Sequence, residues 1–269
     1  MLTKLLKHEF RATARIMGPL YLILLAAALA ANLTAGLLDA DSFILNIVSA
    51  LIVMAWFVAV IGVFIVAFIL MLQRFYKNLL GDEGYLMFTL PVSVHQHVWS
   101  KLIVSAVWFI LTGVVVVLSV LVLAFNVSFL TDLAEVFPKL FEQLNAYYAF
   151  NGTAFILEGL ILLFAGCMTF SLQFYAALAV GHSFPNHKMA LSVVFYFVFQ
   201  FAMQILGAFL ILALDEGPLY HLLMRLDFHI DGAAAVHFAM WILIALTALY
   251  GAVFYFVTAL TLKKRLNLE

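Results

Sequence analysis

Six long apolar stretches, at about 16–38, 43–72, 102–125, 153–181, 189–214 and 233–262, carry almost no charge. Each is at least as long as the roughly 20 residues that a helix needs to cross a hydrocarbon core about 30 Å thick. Lipid offers no partner for a backbone N–H or C=O, so such runs must close their hydrogen bonds internally, as helices. A membrane β-barrel is excluded, because its strands alternate polar and apolar residues and these runs are apolar all round. The second and sixth runs exceed the need by about ten residues, which implies tilt or extension beyond the bilayer. Composition agrees: 67% of the residues are hydrophobic, 10% are charged and mean hydropathy is +1.16. A soluble domain carries about a quarter charged residues. The expectation is therefore an all-α integral membrane protein, a six-span helical bundle forming one transmembrane domain over residues 1–269. A net charge of −1 gives no reason to expect a nucleic-acid partner.

Orientation is read from the basic residues. Lys4, Lys7, Arg11 and Arg15 precede the first run; Arg74, Lys77 and Lys101 separate the second from the third; Lys188 separates the fourth from the fifth; and Lys263, Lys264 and Arg265 follow the sixth. Only Lys139 and Arg225 fall on the other side, where Asp39, Asp41, Asp132, Glu135, Glu142, Asp215, Glu216, Asp227 and Asp231 gather. The excess of Lys and Arg on cytoplasmic loops predicts that both termini lie in the cytoplasm, in a bacterial inner membrane.

The start of the chain has two readings. A basic stretch, an apolar run and Ala28-Leu29-Ala30 have the parts of a cleavable signal peptide. Against cleavage, the first 15 residues are themselves amphipathic. Leu2, Leu5, Leu6, Phe10, Thr13 and Met17 share one helical face, and Lys4, Lys7, His8, Arg11 and Arg15 the other. That pattern predicts a helix over 1–15 lying in the membrane interface, its cations toward anionic lipid headgroups or a partner. On the opposite side, residues 129–150 have near-helical apolar spacing around Pro138, which predicts one or two short surface helices. Residues 215–232 suit a shallow re-entrant element.

Motifs for chemistry are missing. There is no G-x-x-x-x-G-K-[ST] phosphate loop, His8-Glu9 lacks the second histidine of a zinc-protease helix, and no G-x-S-x-G elbow occurs. The histidine pairs His95/His97 and His182/His187, and the group His221, His229 and His237, lack the Cys or carboxylate company of a closed metal site. Cys167 stands alone in an apolar run and reads as a small hydrophobe. No enzyme activity, metal or cofactor is expected on this chain.

The segment between the second and third runs is the informative one. A turn-forming Gly81-Asp82-Glu83-Gly84 leads into the apolar Tyr85–Leu90, stopped by Pro91 and followed by Val92 and Ser93. Aromatic and aliphatic side chains facing cytosol need a cover, either a partner or the headgroup layer. At these residues the sequence resembles the permease subunits of bacterial type-2 ATP-binding-cassette exporters. Their corresponding loop has an acid, a Gly, an aromatic or Thr, two Leu-like positions and Leu-Pro-Val-Ser. Glu83, Gly84, Tyr85, Leu86, Met87, Leu90, Pro91, Val92 and Ser93 match it, whereas Val94-His95 stand where the family often has Arg or Lys. The basic amphipathic start and the six-span layout extend the resemblance over the chain.

The resemblance implies a transport subunit that pairs with a second copy or a second permease and binds a separate cytosolic ATPase, which would hold ATP and Mg²⁺. A cytoplasmic coupling helix carrying Glu83, Gly84, Tyr85, Leu86, Phe88, Leu90 and Pro91 would seat in that ATPase. Two further sites are read from the residues. Ala27, Ala31 and Ala35 repeat every four residues, a small-residue stripe suited to a dimer face or to packing within one subunit. Glu158 is the one acid inside the six runs, suited to a substrate path or, being shallow, to hydrogen bonding with Asn151 or Thr153. The rival reading of the whole chain is a membrane-embedded binding, sensory or immunity subunit that transports nothing.

Overall fold

The computed structural model describes residues 2–35, 43–81, 83–89, 91–124, 134–136, 138–139, 142–143, 152–215 and 233–264. Among them there is no strand. The elements are α1 (Leu2–Ala35), α2 (Phe43–Phe75), a π-helical turn (Tyr76–Leu80), α3 (Glu83–Thr89), α4 (Val94–Leu123), α5 (Gly152–Gly181), α6 (Lys188–Asp215) and α7 (Ala233–Lys264). Six of these helices are long and apolar enough to cross a membrane. Large apolar side chains cover their outer faces: on α6, Val194, Phe197, Val198, Phe201 and Phe209 are all exposed. Such a surface would be costly in water and costs nothing against acyl chains. Of the second outer segment, 215–232, Asp215 ends α6 and the rest lies outside the described residues, as does most of the first; 134–136, 138–139 and 142–143 are helical.

The chain divides into two compact units. The first contains α1, α2 and α4. Met17, Tyr21, Leu24, Ala28 and Ala31 of α1 meet Trp56, Val63, Ala67 and Leu70 of α2 and Val115 of α4. Apolar contact alone does little to hold helices together in lipid, so interhelical hydrogen bonds gain weight. Tyr21 Oη lies 2.8 Å from Thr112 Oγ1, Trp56 Nε1 donates to Ser119 Oγ at 3.3 Å, and Asn32 Nδ2 donates to the Leu123 carbonyl at 2.8 Å. Ser49 Oγ donates to the Thr34 carbonyl at 2.8 Å, closing α1 on α2.

Where the sequence suggests an interfacial helix over 1–15 followed by a span from Ile16, the structure has one continuous helix from Leu2. It runs through Pro19, which has no N–H to give the Arg15 carbonyl, a loss that membrane helices tolerate. Lys4, Lys7, His8, Arg11 and Arg15 are exposed, and Thr13 and Met17 are buried. The alanine stripe is used inside the unit: Ala31 is fully buried and Ala27 packs on the same cluster. Those two side chains therefore meet α1's own neighbours, the within-subunit packing that the stripe also suits. The side chain of Ala35 lies outside the description.

The second unit joins residues 76–90 to α5, α6 and α7. α5 packs against both α6 and α7. Gln173 Nε2 donates to Gln200 Oε1 at 2.8 Å between α5 and α6, and Thr169 Oγ1 donates to the Thr247 carbonyl at 3.0 Å between α5 and α7. Gly181 closes α5: a Cβ there would overlap Ser192 Oγ and stand 2.5 Å from the Ser192 nitrogen, so only glycine lets α6 come this near. His187 precedes α6 with φ 56°, in the left-handed region that histidine tolerates better than most residues, and its carbonyl accepts the Leu191 N–H at 2.9 Å.

Candidate functional site

The predicted loop site begins where α2 loses its regular register. The Gly81 N–H donates to the Tyr76 carbonyl at 2.9 Å, five residues back, so the backbone widens into a π turn before it reverses. Such turns recur at functional positions. The Gly84 N–H then donates to the Gly81 carbonyl at 2.8 Å and α3 starts at Glu83. Lys77 Nζ, 3.3 Å from Glu83 Oε1, bridges the π turn to the start of α3.

Of the residues singled out by sequence, Gly84 is buried against this turn, while Tyr85 is 56% and Leu86 73% exposed. The side chain of Phe88 and all of Leu90 lie outside the description, and Pro91 is an exposed bend. Ser93 caps α4, its Oγ accepting the Gln96 N–H at 3.3 Å. The motif thus divides by role: glycines and Ser93 shape the backbone, and Tyr85 and Leu86 are presented outward.

The turn between α5 and α6 meets this segment. The Tyr76 and His182 rings pack edge to face with centroids 5.2 Å apart. Together with Lys77, Leu80, Gly81, Glu83, Lys188 and Met189 they line a cavity of about 370 Å³. His182 is buried; its Nδ1 donates to the Leu178 carbonyl at 2.8 Å and lies 3.4 Å from Ser192 Oγ. Burial lowers its pKa from the ordinary 6.5; the Leu178 hydrogen bond opposes that shift and Lys188 adds to it. The imidazole is therefore neutral at neutral pH, with Nδ1–H committed to Leu178 and Nε2 left as an acceptor.

Glu158 is buried, as a polar side chain within α5 must be to avoid lipid. It meets His237 of α7, whose Nδ1 is 2.8 Å from Glu158 Oε2, and Asn151, one of the partners the sequence suggests, lies outside the described residues. The contact is local to the second unit and ties α5 to α7 at one depth.

A third polar site went unpredicted. Glu9 is buried in the first unit, with Lys101 Nζ at 2.8 Å from Oε1 and Arg74 Nη1 at 3.9 Å from Oε2. Thr13 Oγ1 donates to the Glu9 carbonyl at 2.9 Å and accepts Trp108 Nε1–H at 2.7 Å. A gap of about 20 Å³ beside them has room for roughly one water. One carboxylate thus joins α1, α2 and α4. Among the described residues no three His, Cys, Asp or Glu side chains gather as a metal site.

These elements define a helical multi-pass membrane protein. In comparison with known proteins, no family model, no curated protein and no solved structure matches the chain.

Proposed function

We propose that this chain is the membrane-spanning permease subunit of an ATP-driven exporter, powered by a separate cytosolic ATPase. The observation that carries the proposal is α3: a short helix between two spans, fixed at its start by the Lys77–Glu83 pair, with Tyr85 and Leu86 turned outward. It lies on the side that the basic residues assign to the cytoplasm. Seating one such side chain in a partner groove would contribute on the order of 1.5–3 kcal/mol, enough for α3 to transmit a push. Glu83 at the rim orients more than it binds. The chain has no nucleotide motif of its own, which suits a subunit driven by another chain. The basic face of the first helical turns would lie against anionic headgroups.

The test is affinity purification of the full-length chain from its own cells, followed by ATP hydrolysis measured on the purified complex. The wild type should bring down a nucleotide-hydrolysing partner. Tyr85→Ser with Leu86→Ser should lower its recovery at least about tenfold, as loss of one anchor of that size implies, while α-helical content is unchanged. Glu83→Ala should have the milder effect. Wild-type protein that brings down no ATPase, or a double variant that keeps it, would favour the non-transporting reading.

A further inference from the structure

We propose that the gap beside Glu9 is a water-binding site, and that the water it holds bridges Arg74 of α2 to the Glu9 carboxylate of α1. Distance, space and chemistry carry it together. Arg74 Nη1 stands 3.9 Å from Glu9 Oε2. That is beyond the reach of about 3.2 Å at which an N–H donates directly to an oxygen. A water between two such groups completes the contact at little cost. The gap that both side chains line, about 20 Å³, exceeds the roughly 10–15 Å³ that one water requires. The Lys101 ammonium and the hydroxyls of Thr13 and Ser105 line it too, enough for the roughly two to four hydrogen bonds of a buried water. Charges of both signs choose the occupant. A cation would face Lys101 and Arg74, an anion would face Glu9, and a neutral molecule that both donates and accepts suits all three.

The bridge gives α2 a jointed attachment to α1 where α4 has a rigid one. Lys101 Nζ reaches Glu9 directly at 2.8 Å, and Trp108 and Thr112 of α4 add bonds of 2.7 and 2.8 Å to Thr13 and Tyr21 of α1. The Lys101 and Glu9 side chains are 2% and 6% exposed, so that arm has no solvent to exchange its partner for. Arg74, 28% exposed, does. The hydrogen bonds of Ser49 and Trp56, which fasten α2 to α1 and α4, lie in its first half. A bridging water re-forms its bonds as the groups slide. The end of α2 can therefore shift along α1 by about 1–2 Å, the step by which packed helices switch, with neither charge left unsolvated. Arg74 is the last residue but one of α2, and the chain passes from the first unit to the second after Phe75. The joint thus lies at one of the points where the chain crosses between units. It stands whether or not the chain is an exporter subunit, because all its groups belong to the first unit and none depends on an ATPase.

The test takes two measurements on the full-length chain in detergent. A density map at a resolution that shows ordered water should place one within about 3.2 Å of both Arg74 Nη1 and Glu9 Oε2. Hydrogen–deuterium exchange then separates the two arms. Arg74→Met should lower the protection of α2 amides over 66–73 about fivefold, the loss of one partly screened ionic contact, and leave α1 and α4 within about twofold. Lys101→Met should lower protection over 5–13 of α1 and 98–105 of α4 at least about tenfold, as loss of a buried charge-assisted bond implies. Lys7→Met, which removes an exposed cation of α1 that does not line the gap, should change none of these segments. The proposal is overturned if the map shows the guanidinium directly on the carboxylate or no water between them. It is overturned equally if Arg74→Met leaves α2 unchanged or loosens α4 as much as α2, or if Lys101→Met disturbs α1 and α4 no more than Arg74→Met does.

Discussion

Glu9 and Glu158 show how much a single position depends on what stands opposite it. Both are acids on apolar helices, and both are buried, but Glu9 meets two cations and Glu158 meets an imidazole. Two other residues yield measurable consequences. Gly181 tolerates no Cβ because the backbone of Ser192 occupies the space, whereas a Cβ at Gly113 in α4 would meet nothing within 4 Å. Gly181→Ala should therefore cost about 1–3 kcal/mol through overpacking, and Gly113→Ala should be neutral or slightly stabilising. Thermal unfolding of the two variants in one detergent decides this, and equal melting temperatures would contradict the close approach. His182 adds a pH dependence. Its folded pKa lies below 6.5, so under acid the unfolded chain binds the proton first and folding stability falls as pH drops below about 6.5. The sign follows because the unfolded state carries more protons in that window. His182→Gln should flatten this part of the melting-temperature profile; an unchanged slope would assign it to other groups.

At the scale of elements, α1 illustrates why boundaries read from hydropathy fall short. The first apolar run begins near residue 16 because Arg15 and Arg11 precede it, but the packed stripe continues downward through Met17 and Thr13 to Glu9. A signal for this was present. Glu9 stands four residues before Thr13 and four after Leu5, on the apolar face of the first turns and away from the cations. What could not be read was its partner, since Lys101 is 92 residues away. The cluster makes an asymmetric prediction. Glu9→Gln leaves Lys101 buried without its counter-charge and should cost on the order of 3–5 kcal/mol. Lys101→Met leaves Glu9 with Arg74 and should cost less. Combining the two removes both buried charges and should recover much of the loss. Melting temperatures of the three variants in detergent check the order, and simple additivity would count against a coupled pair.

At the scale of the whole molecule, side-specific labelling tests the arrangement of the spans. In a Cys167→Ala background, Glu135→Cys and Gln143→Cys, both exposed positions, should react in intact cells with an impermeant thiol reagent. Thr89→Cys, Asn186→Cys and Lys264→Cys, also exposed, should react only after the cells are opened. Asn78 is a poor reporter despite lying in the same loop as Thr89, because it is buried and would be silent on either side. Labelling of Thr89→Cys from outside would refute the inferred orientation and, with it, the cytosolic seat proposed for α3.

The sequence by itself determined that this is a membrane protein, where its six spans lie, and that a short structured segment interrupts the second and third. Each of these follows from consecutive residues: hydropathy sums along the chain, and a bilayer tests that sum one helix at a time. The turn-forming glycines of the loop were legible for the same reason, since turns are local. Tertiary structure alone decided that Ala27 and Ala31 pack inside their own unit, that Glu158 meets His237, that Glu9 gathers Lys101 and Arg74, and that Tyr76 reaches His182. The physical reason is that lipid-facing and helix-facing surfaces are both apolar here. A soluble helix marks its buried face by contrast with a polar one; a span does not, so the rotation of each helix, and with it every long-range pairing, is set only when neighbouring side chains interlock.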